Sequence, residues 1–102
     1  MTTEEVLKSK KALFIPVDGE IKEIEPKNGK SFVLEEVYEL LGIDLVEVVY
    51  FPNDADKIML VDEEGMHKKE VNPRASRICS DCYMSLCTIF GDALIVFNNQ
   101  FE

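Results

Sequence analysis

Near the start of the chain, apolar and polar positions follow the pattern of two short β-strands. Residues 12–17 form an apolar run, Asp18 and Gly19 follow as a turn pair, and residues 20–25 mix charged residues with isoleucine in partial alternation. This pattern predicts a β-hairpin. Because proline has no backbone N–H, Pro16 is expected to place the first strand at a sheet edge or at a bulge.

After residue 30 the pattern changes to a helical period. Apolar residues recur every three to four positions over residues 32–41 and predict an amphipathic helix. Ser31 is a suitable N-cap, and Gly42 suits the left-handed residue that ends a helix. Three acidic side chains of this helix are expected to point towards solvent: Glu35, Glu36 and Glu39.

The middle of the chain is strand-like again. The valine-rich residues 45–51 are apolar on both faces apart from Glu47, which predicts a central strand, and residues 52–54 end it. Residues 57–61 and 66–71 are predicted to form a second hairpin, because they flank an acidic turn that closes on Gly65. In such a turn glycine takes the positive φ that other residues disfavour.

Two local signals organise the C-terminal third. Asn72 directly before a proline is typical of an N-cap, so a helix is predicted to begin there. The spacing of the apolar residues predicts that this helix continues to about residue 83 or 86. Gly91 and Asp92 are then predicted to form a turn that leads into a last apolar strand at residues 93–97.

These elements predict a single α+β domain over residues 12–98. We expect a mostly antiparallel sheet of about five or six strands, with one main helix and a second, C-terminal helix packed on one face. Residues 1–11 are predicted to be a polar N-terminal extension, in which Thr3 can cap a short helix.

The charge of the chain is large and uneven. The 102 residues have a formal net charge of −9 at pH 7, which argues against non-specific binding to nucleic acid or to an anionic membrane, because both need clustered Lys and Arg. Residues 35–64 hold ten acidic residues and only Lys57, whereas the charges of the two flanking segments cancel. The simplest interpretation is a solvated acidic surface that keeps a small protein soluble.

The sequence is that expected of a cytoplasmic protein. The first residues are acidic where a signal peptide is basic, and no apolar segment follows them. The longest apolar runs, residues 48–51 and 93–97, are too short to span a bilayer. Three cysteines cannot all form disulfides within one chain, so at least one thiol is expected to be free. Free thiols are usual in compartments where thiols stay reduced.

Three cysteines, Cys79, Cys82 and Cys87, are spaced C-x-x-C-x-x-x-x-C. With His67 they can complete a Cys₃His zinc site, and the C-x-x-C alone can carry redox chemistry. We favour a third interpretation, in which the cysteines are small hydrophobic residues on a buried helix face and no cofactor is bound. Nucleophile-elbow, zinc-protease, P-loop and dinucleotide-binding motifs are absent, so we predict a protein that is not an enzyme.

A basic segment at residues 67–77 is a candidate binding site for a small anion, because the start of a helix presents free N–H groups and a positive dipole end. The alternative is an ordinary capped helix whose basic residues pair with the acidic segment. The candidate ligand-binding residues are Asn72, Arg74, Arg77, Lys68, Lys69, His67 and Asp92.

Short motifs spread over residues 11–98 resemble one family. The chain contains, in this order, KALFIPVDGE, VDEEGM, NPRAS and IFGDALIV. In order and spacing they resemble the domain-of-unknown-function 3846 family, small uncharacterised domains of bacteria, phages and mobile elements. The positions that match the family pattern are Pro16, Gly19, Gly65, Asn72, Ala75, Gly91 and Asp92. The cysteines lie outside this pattern.

The resemblance implies a phage or mobile-element setting, in which small proteins often act by binding. We therefore predict a non-catalytic protein that modulates a host protein, such as a defence protein, in the host cytoplasm through an acidic docking surface. The alternative is a protein that sequesters a small anionic ligand, such as a signalling nucleotide, at residues 72–77 across a homo-oligomer interface. The residues of the acidic surface would be Glu35, Glu36, Glu39, Asp54, Asp56, Asp62, Glu63 and Glu64.

Overall fold

The computed structural model describes residues 2–52 and 54–101, which form one antiparallel sheet, four α-helices and one short 3-10 helix (Asn98–Gln100). The strands are β1 (Ala12–Ile15), β2 (Lys22–Ile24), β3 (Val46–Phe51), β4 (Asp54–Asp62) and β5 (Ala93–Phe97). They lie in the order β2-β1-β5-β4-β3, and every neighbouring pair is antiparallel. The helices are α1 (Thr3–Lys8), α2 (Leu34–Leu41), the single turn α3 (Gly65–Lys68) and α4 (Pro73–Tyr83). The predicted α+β class with a five-stranded antiparallel sheet is confirmed.

Helices cover both faces of the sheet. On one face Leu13, Met59 and Ile95 pack with buried residues of α1 and α4. On the other face Leu60 and Leu94 pack with buried residues of α2. The prediction that the helices share one face is wrong, because β4 and β5 are almost continuously apolar. Side chains of a strand alternate between faces, so each face of these strands needs its own cover.

The predicted N-terminal helix is present as α1, but Thr2 caps it instead of Thr3. The Thr2 hydroxyl accepts a hydrogen bond from the Glu5 N–H at 3.2 Å, and the Glu5 carboxylate accepts one from the Thr2 N–H at 3.0 Å. Val6 is completely buried in the core between the sheet and α4. Residues 1–11, predicted to be a polar extension, therefore contribute a helix that packs on the domain.

Helix α2 begins later than predicted. Ser31 is buried and does not cap it; Val33 holds the N-cap position without a side-chain hydrogen bond. The preceding Phe32 is completely buried and forms an isolated parallel bridge with Phe101, which keeps this part of the chain extended. The predicted end is confirmed, since Gly42 adopts the left-handed conformation with φ 63°.

The first predicted hairpin is confirmed as β1 and β2, with a different place in the sheet. Strand β1 lies between β2 and β5, so it is not an edge strand. It ends at Ile15, directly before Pro16, and the missing proline N–H therefore falls outside the β1 ladder.

The second predicted hairpin is wrong. Strand β4 pairs with β3 through a hairpin whose turn includes Pro52; Asn53, predicted to help end the strand, lies outside the described residues. After β4 the chain forms α3 instead of a strand. Gly65 does not have a positive φ; it is needed because a Cβ atom there would lie 2.9 Å from the carbonyl oxygen of Phe90.

Helix α4 and strand β5 agree with the predictions, whereas β3 does not. Asn72 is the N-cap of α4, the helix ends at Tyr83, and β5 covers the predicted residues. Strand β3 is an edge strand of the sheet and not a central one. Its tyrosine, Tyr50, is 64% accessible.

Candidate functional site

Asn72, the first residue of the predicted anion site, is a structural residue. It is completely buried, and its amide N–H₂ donates to the carbonyl oxygens of Ile15 at 2.9 Å and Gly91 at 3.0 Å. Its amide oxygen accepts from the Ala75 N–H at 3.0 Å. Because the amide group is engaged on both its nitrogen and its oxygen, Asn72 joins β1, the start of β5 and α4, and the groups that a ligand would need are already used.

Of the other predicted anion-binding residues, Arg74 and Arg77 line one pocket, whereas Asp92, Lys68 and Lys69 do not line it. Asp92 accepts from the Val17 N–H at 2.8 Å, and Lys69 donates to the Gly42 carbonyl at 3.2 Å. The side chain of His67 lies outside the described part of the structure. The remaining three are exposed: Lys68 pairs with Glu64 at 3.5 Å, Arg77 pairs with Asp81 at 3.1 Å, and Arg74 lies beside a pocket.

The pocket beside Arg74 has a volume of about 420 Å³ and lies between the start of α1 and α4. Its wall contains the Asp81 carboxylate, which accepts hydrogen bonds from the Thr3 hydroxyl and from Arg77. The hydrogen bond from Thr3, followed by the charge and the hydrogen bond of Arg77, lowers the pKa of Asp81. The Asp81 carboxylate offsets one of the two arginine charges of this pocket and repels anions, which makes the pocket less suited to a phosphate or nucleotide.

Two members of the predicted acidic surface are not available to a partner. Glu36 is buried, and its carboxylate accepts from the Lys27 N–H at 3.0 Å, so it does not point towards solvent as predicted. Asp62 is also buried and accepts from the Glu64 N–H at 2.9 Å. Each carboxylate holds a neighbouring backbone N–H, which explains why these polar side chains lie below the surface.

The remaining predicted acidic residues lie at different places on the molecule. Glu35 and Glu39 are exposed on α2, where Glu39 pairs with Lys27 at 3.1 Å. Asp54 and Asp56 lie at the beginning of β4, whereas Glu63 and Glu64 follow its end. Since a strand rises about 3.3 Å per residue, the two ends of this nine-residue strand are roughly 25 Å apart.

Six exposed or half-exposed acidic residues lie within residues 44–64, a segment that we call the acidic hairpin because it consists of β3, β4 and their flanks. Four lie at one end of it and two at the other: Asp44, Glu47, Glu63 and Glu64, and Asp54 and Asp56. The sequence interpretation missed two of them, Asp44 and Glu47, which are exposed at the start of β3. Glu63 is their neighbour, because its N–H donates to the Leu45 carbonyl at 3.1 Å. The signal was present in the uninterrupted acidic composition of this segment.

Lys57 is the one basic residue of the acidic hairpin, and its charge is directed inwards. It is 5% exposed; its ammonium group donates to the carbonyl oxygens of Val6 and Leu7 and lies 5.4 Å from the centre of the Phe97 ring. Burial lowers the pKa of Lys57, and the nearby Asp54 opposes this. The Lys57 ammonium group thus binds carbonyl groups at the C-terminal end of α1, and the outer surface of the hairpin stays acidic.

The cysteines of α4 belong to the core. Cys79 and Cys82 are buried, Cys87 is half-buried, and all three are free thiols. Burial, followed by a hydrogen bond with Cys87, raises the pKa of Cys79 to about 12, and burial also raises the pKa of Cys82. Zinc binding and disulfide exchange both need thiolates, which these surroundings disfavour. Among the residues whose side chains are described, no group of three potential ligands could hold a metal ion.

The raised pKa of Cys79 predicts a loss of stability in alkaline solution. Below pH 9, the ordinary thiol value, the protonated thiol keeps its full contribution to stability. Between pH 9 and 12 the unfolded chain releases a proton that the folded protein retains, so the free energy of unfolding falls by at most about 1.4 kcal/mol per pH unit.

Urea denaturation of the wild-type protein and of Cys79→Ala across this pH range measures the effect. The decline should be steeper in the wild type than in Cys79→Ala, whereas Cys87→Ala should keep most of it, because burial is the larger cause. Equal slopes for the wild type and Cys79→Ala would contradict the assignment.

The comparisons with known proteins found no match for this chain. No family model matches the chain, and no curated protein or solved structure is significantly similar to it. The resemblance to the domain-of-unknown-function 3846 family therefore stays a prediction. In the part of the chain that the structure describes, no helix has both the length and the apolar character needed to cross a membrane.

Proposed function

We propose that this protein is a non-catalytic binding protein that docks a basic segment of another protein on the acidic hairpin. The observation that carries the proposal is the burial of Lys57. Of the seven acidic residues of the hairpin, all but Asp62 are exposed or half-exposed, whereas its one cation is turned into the core, where it binds backbone carbonyls. Its solvent-facing charge is therefore of one sign, and a field of one sign attracts and orients an oppositely charged partner.

The small-anion alternative has weaker support. Its central residue, Asn72, is committed to three hydrogen bonds within the fold, and the pocket beside Arg74 contains a carboxylate. The resemblance to the domain-of-unknown-function 3846 family adds a setting to the favoured proposal. In a phage or mobile element, the basic partner would be a host protein, and occupation of its basic segment would block what that segment normally binds.

A pair of charge variants tests the proposal with hexalysine as the probe and hexaglutamate as the negative probe. The hairpin variant is Asp44→Asn/Glu47→Gln/Glu63→Gln. The control variant, Asp18→Asn/Glu20→Gln/Glu23→Gln, removes the same charge from exposed residues around β2. Titration calorimetry at low salt should show hexalysine binding that added salt weakens.

The hairpin variant should bind hexalysine about fivefold or more weakly than the control variant, since each exposed charge pair contributes about 0.2–1 kcal/mol. Equal losses in both variants would mean that only net charge attracts the probe, and the docking site would then be rejected. Failure of hexalysine to bind the wild type would reject it as well.

A further inference from the structure

Strand β3 presents a free hydrogen-bonding edge. Within the described residues its one strand neighbour is β4, and the Glu63 N–H donates across that pair to the Leu45 carbonyl. In an antiparallel pair, successive residues direct their N–H and C=O groups alternately towards and away from the neighbouring strand. The register from Leu45 onwards therefore directs the backbone groups of Val46, Val48 and Tyr50 away from β4.

One of these outward groups is already occupied. The hydroxyl group of Tyr83, in the last turn of α4, donates to the Tyr50 carbonyl. This bond blocks the edge at the end of β3 and leaves the edge open at Val46 and Val48. The open stretch lies beside Asp44, Glu47 and Glu63, the acidic residues at the start of the strand.

The opposite edge of the sheet, β2, has the features by which proteins protect an edge. It has three residues and carries an exposed lysine, Lys22. Short length and lysine both discourage the addition of another strand. Strand β3 has six residues and no lysine, and its bulge lies at its far end, between Tyr50 and Phe51, so β3 is the less protected of the two edges.

The side chains of β3 define what would fit beside it. Glu47 projects on the face covered by α4, and Tyr50 is exposed on the face covered by α2, because alternate residues point to opposite faces. In a strand added here, the side chains on the α4 face would lie opposite the Glu47 carboxylate. The side chains on the α2 face would lie opposite Val46, Val48 and Tyr50. Charge complementarity therefore favours basic residues alternating with apolar ones.

We infer that the acidic hairpin binds an extended protein segment of alternating basic and apolar residues, which adds a sixth strand to the sheet along β3. This inference rests on the proposed function and specifies how the partner is held. A second copy of this chain is the less suitable occupant, because β3 against β3 would bring the acidic flanks of two proteins of charge −9 together. Main-chain hydrogen bonds supply affinity in this mode, and alternate side chains supply specificity.

Three peptides test the inference with the protein unchanged. The probe is an alternating Lys-Val hexapeptide, capped at both ends. When lysine lies opposite Glu47, the valines lie opposite Val46 and Val48, and their N–H groups point at β3. N-methylation of the valine backbone nitrogens removes these donors. N-methylation of the lysine backbone nitrogens removes the N–H groups that point away from β3. The two methylated peptides have the same charge and the same number of methyl groups. Valine methylation should weaken binding at least about tenfold more than lysine methylation, because only valine methylation removes hydrogen bonds to β3; a tenfold change in affinity corresponds to about 1.4 kcal/mol.

A protein variant gives the second readout. Val48→Pro removes an N–H that β4 does not use, so the ladder with β4 stays intact, and its circular dichroism should match that of the wild type. The variant should bind the Lys-Val peptide at least about tenfold more weakly. If both methylated peptides bind equally, the added strand is rejected, while the charge variants described above decide the proposed function separately. A wild-type dimer that Val48→Pro dissolves would also reject it, by assigning the edge to a second copy.

Discussion

Asn72→Ala is expected to lower the free energy of unfolding by about 3–5 kcal/mol, a large part of the total stability of a domain of this size. The substitution leaves three backbone groups without partners: the carbonyls of Ile15 and Gly91, and the N–H of Ala75. A buried polar group that loses its partner costs about 1–3 kcal/mol, and loss of the cap weakens the start of α4. Urea denaturation followed by circular dichroism measures the effect.

A matched asparagine provides the control. The Asn28 side chain accepts from the N–H groups of Lys30 and Ser31 in an exposed turn, where water can replace it, so Asn28→Ala should cost less than about 1 kcal/mol. Asn72→Asp keeps the acceptor for α4 but brings a negative charge to two carbonyl oxygens, and it should destabilise at least as much as alanine. If Asn72→Ala cost no more than Asn28→Ala, the central position of Asn72 in the fold would be refuted.

Lys57→Ala is expected to cost about 2–4 kcal/mol and to detach α1 from the sheet. The ammonium group holds the carbonyls of Val6 and Leu7 at the end of α1, and the alkyl chain of the lysine is buried. The substitution removes both the donor and the packed chain, and a truncated buried side chain leaves a cavity. Chemical denaturation gives the size of the loss, and hydrogen exchange of the Val6 region locates it.

Two further variants separate the contributions of charge and volume. Lys57→Met keeps a long unbranched chain without the donor, so it should lose less stability than Lys57→Ala. Lys22→Ala removes an exposed lysine from β2 and should change the free energy of unfolding by at most about 0.5 kcal/mol. A Lys57→Ala protein as stable as the Lys22→Ala protein would show that Lys57 does not hold α1.

Where local chemistry dominates, the sequence predicted the structure well. The cap bond from the Ala75 N–H to Asn72 and the positive φ of Gly91 are local features, and α4 and β5 both have the predicted bounds. Gly65 shows the limit of this reasoning. An acidic turn that closes on glycine is typical of a hairpin, but this glycine is needed for a close approach to Phe90, 25 positions later in the chain, which no local pattern reveals.

The candidate site depends even more on remote contacts. The sequence located the acidic segment but could not show that Lys57 turns inwards, because the carbonyls that it binds belong to residues about 50 positions earlier. Strand β3 was predicted to be central since it is apolar on both faces. Its position at the edge follows from the insertion of β5 between β1 and β4, and only the assembled sheet shows that its backbone groups are open to a partner.

The position of β5 also has a consequence for how the protein is made. The β1–β2 hairpin and the β3–β4 hairpin can each form as soon as their own residues leave the ribosome. Strand β5 lies between the two hairpins in the sheet, so a β1 residue such as Leu13 pairs with Ile95 only after β5 has been synthesised. Until residues 93–97 emerge, β1 and β4 each have an unpaired, apolar side that can join a neighbouring nascent chain. Among the five strands of the described residues, the last in chain order completes the sheet, so the two hairpins expose apolar edges for as long as β5 has not joined them.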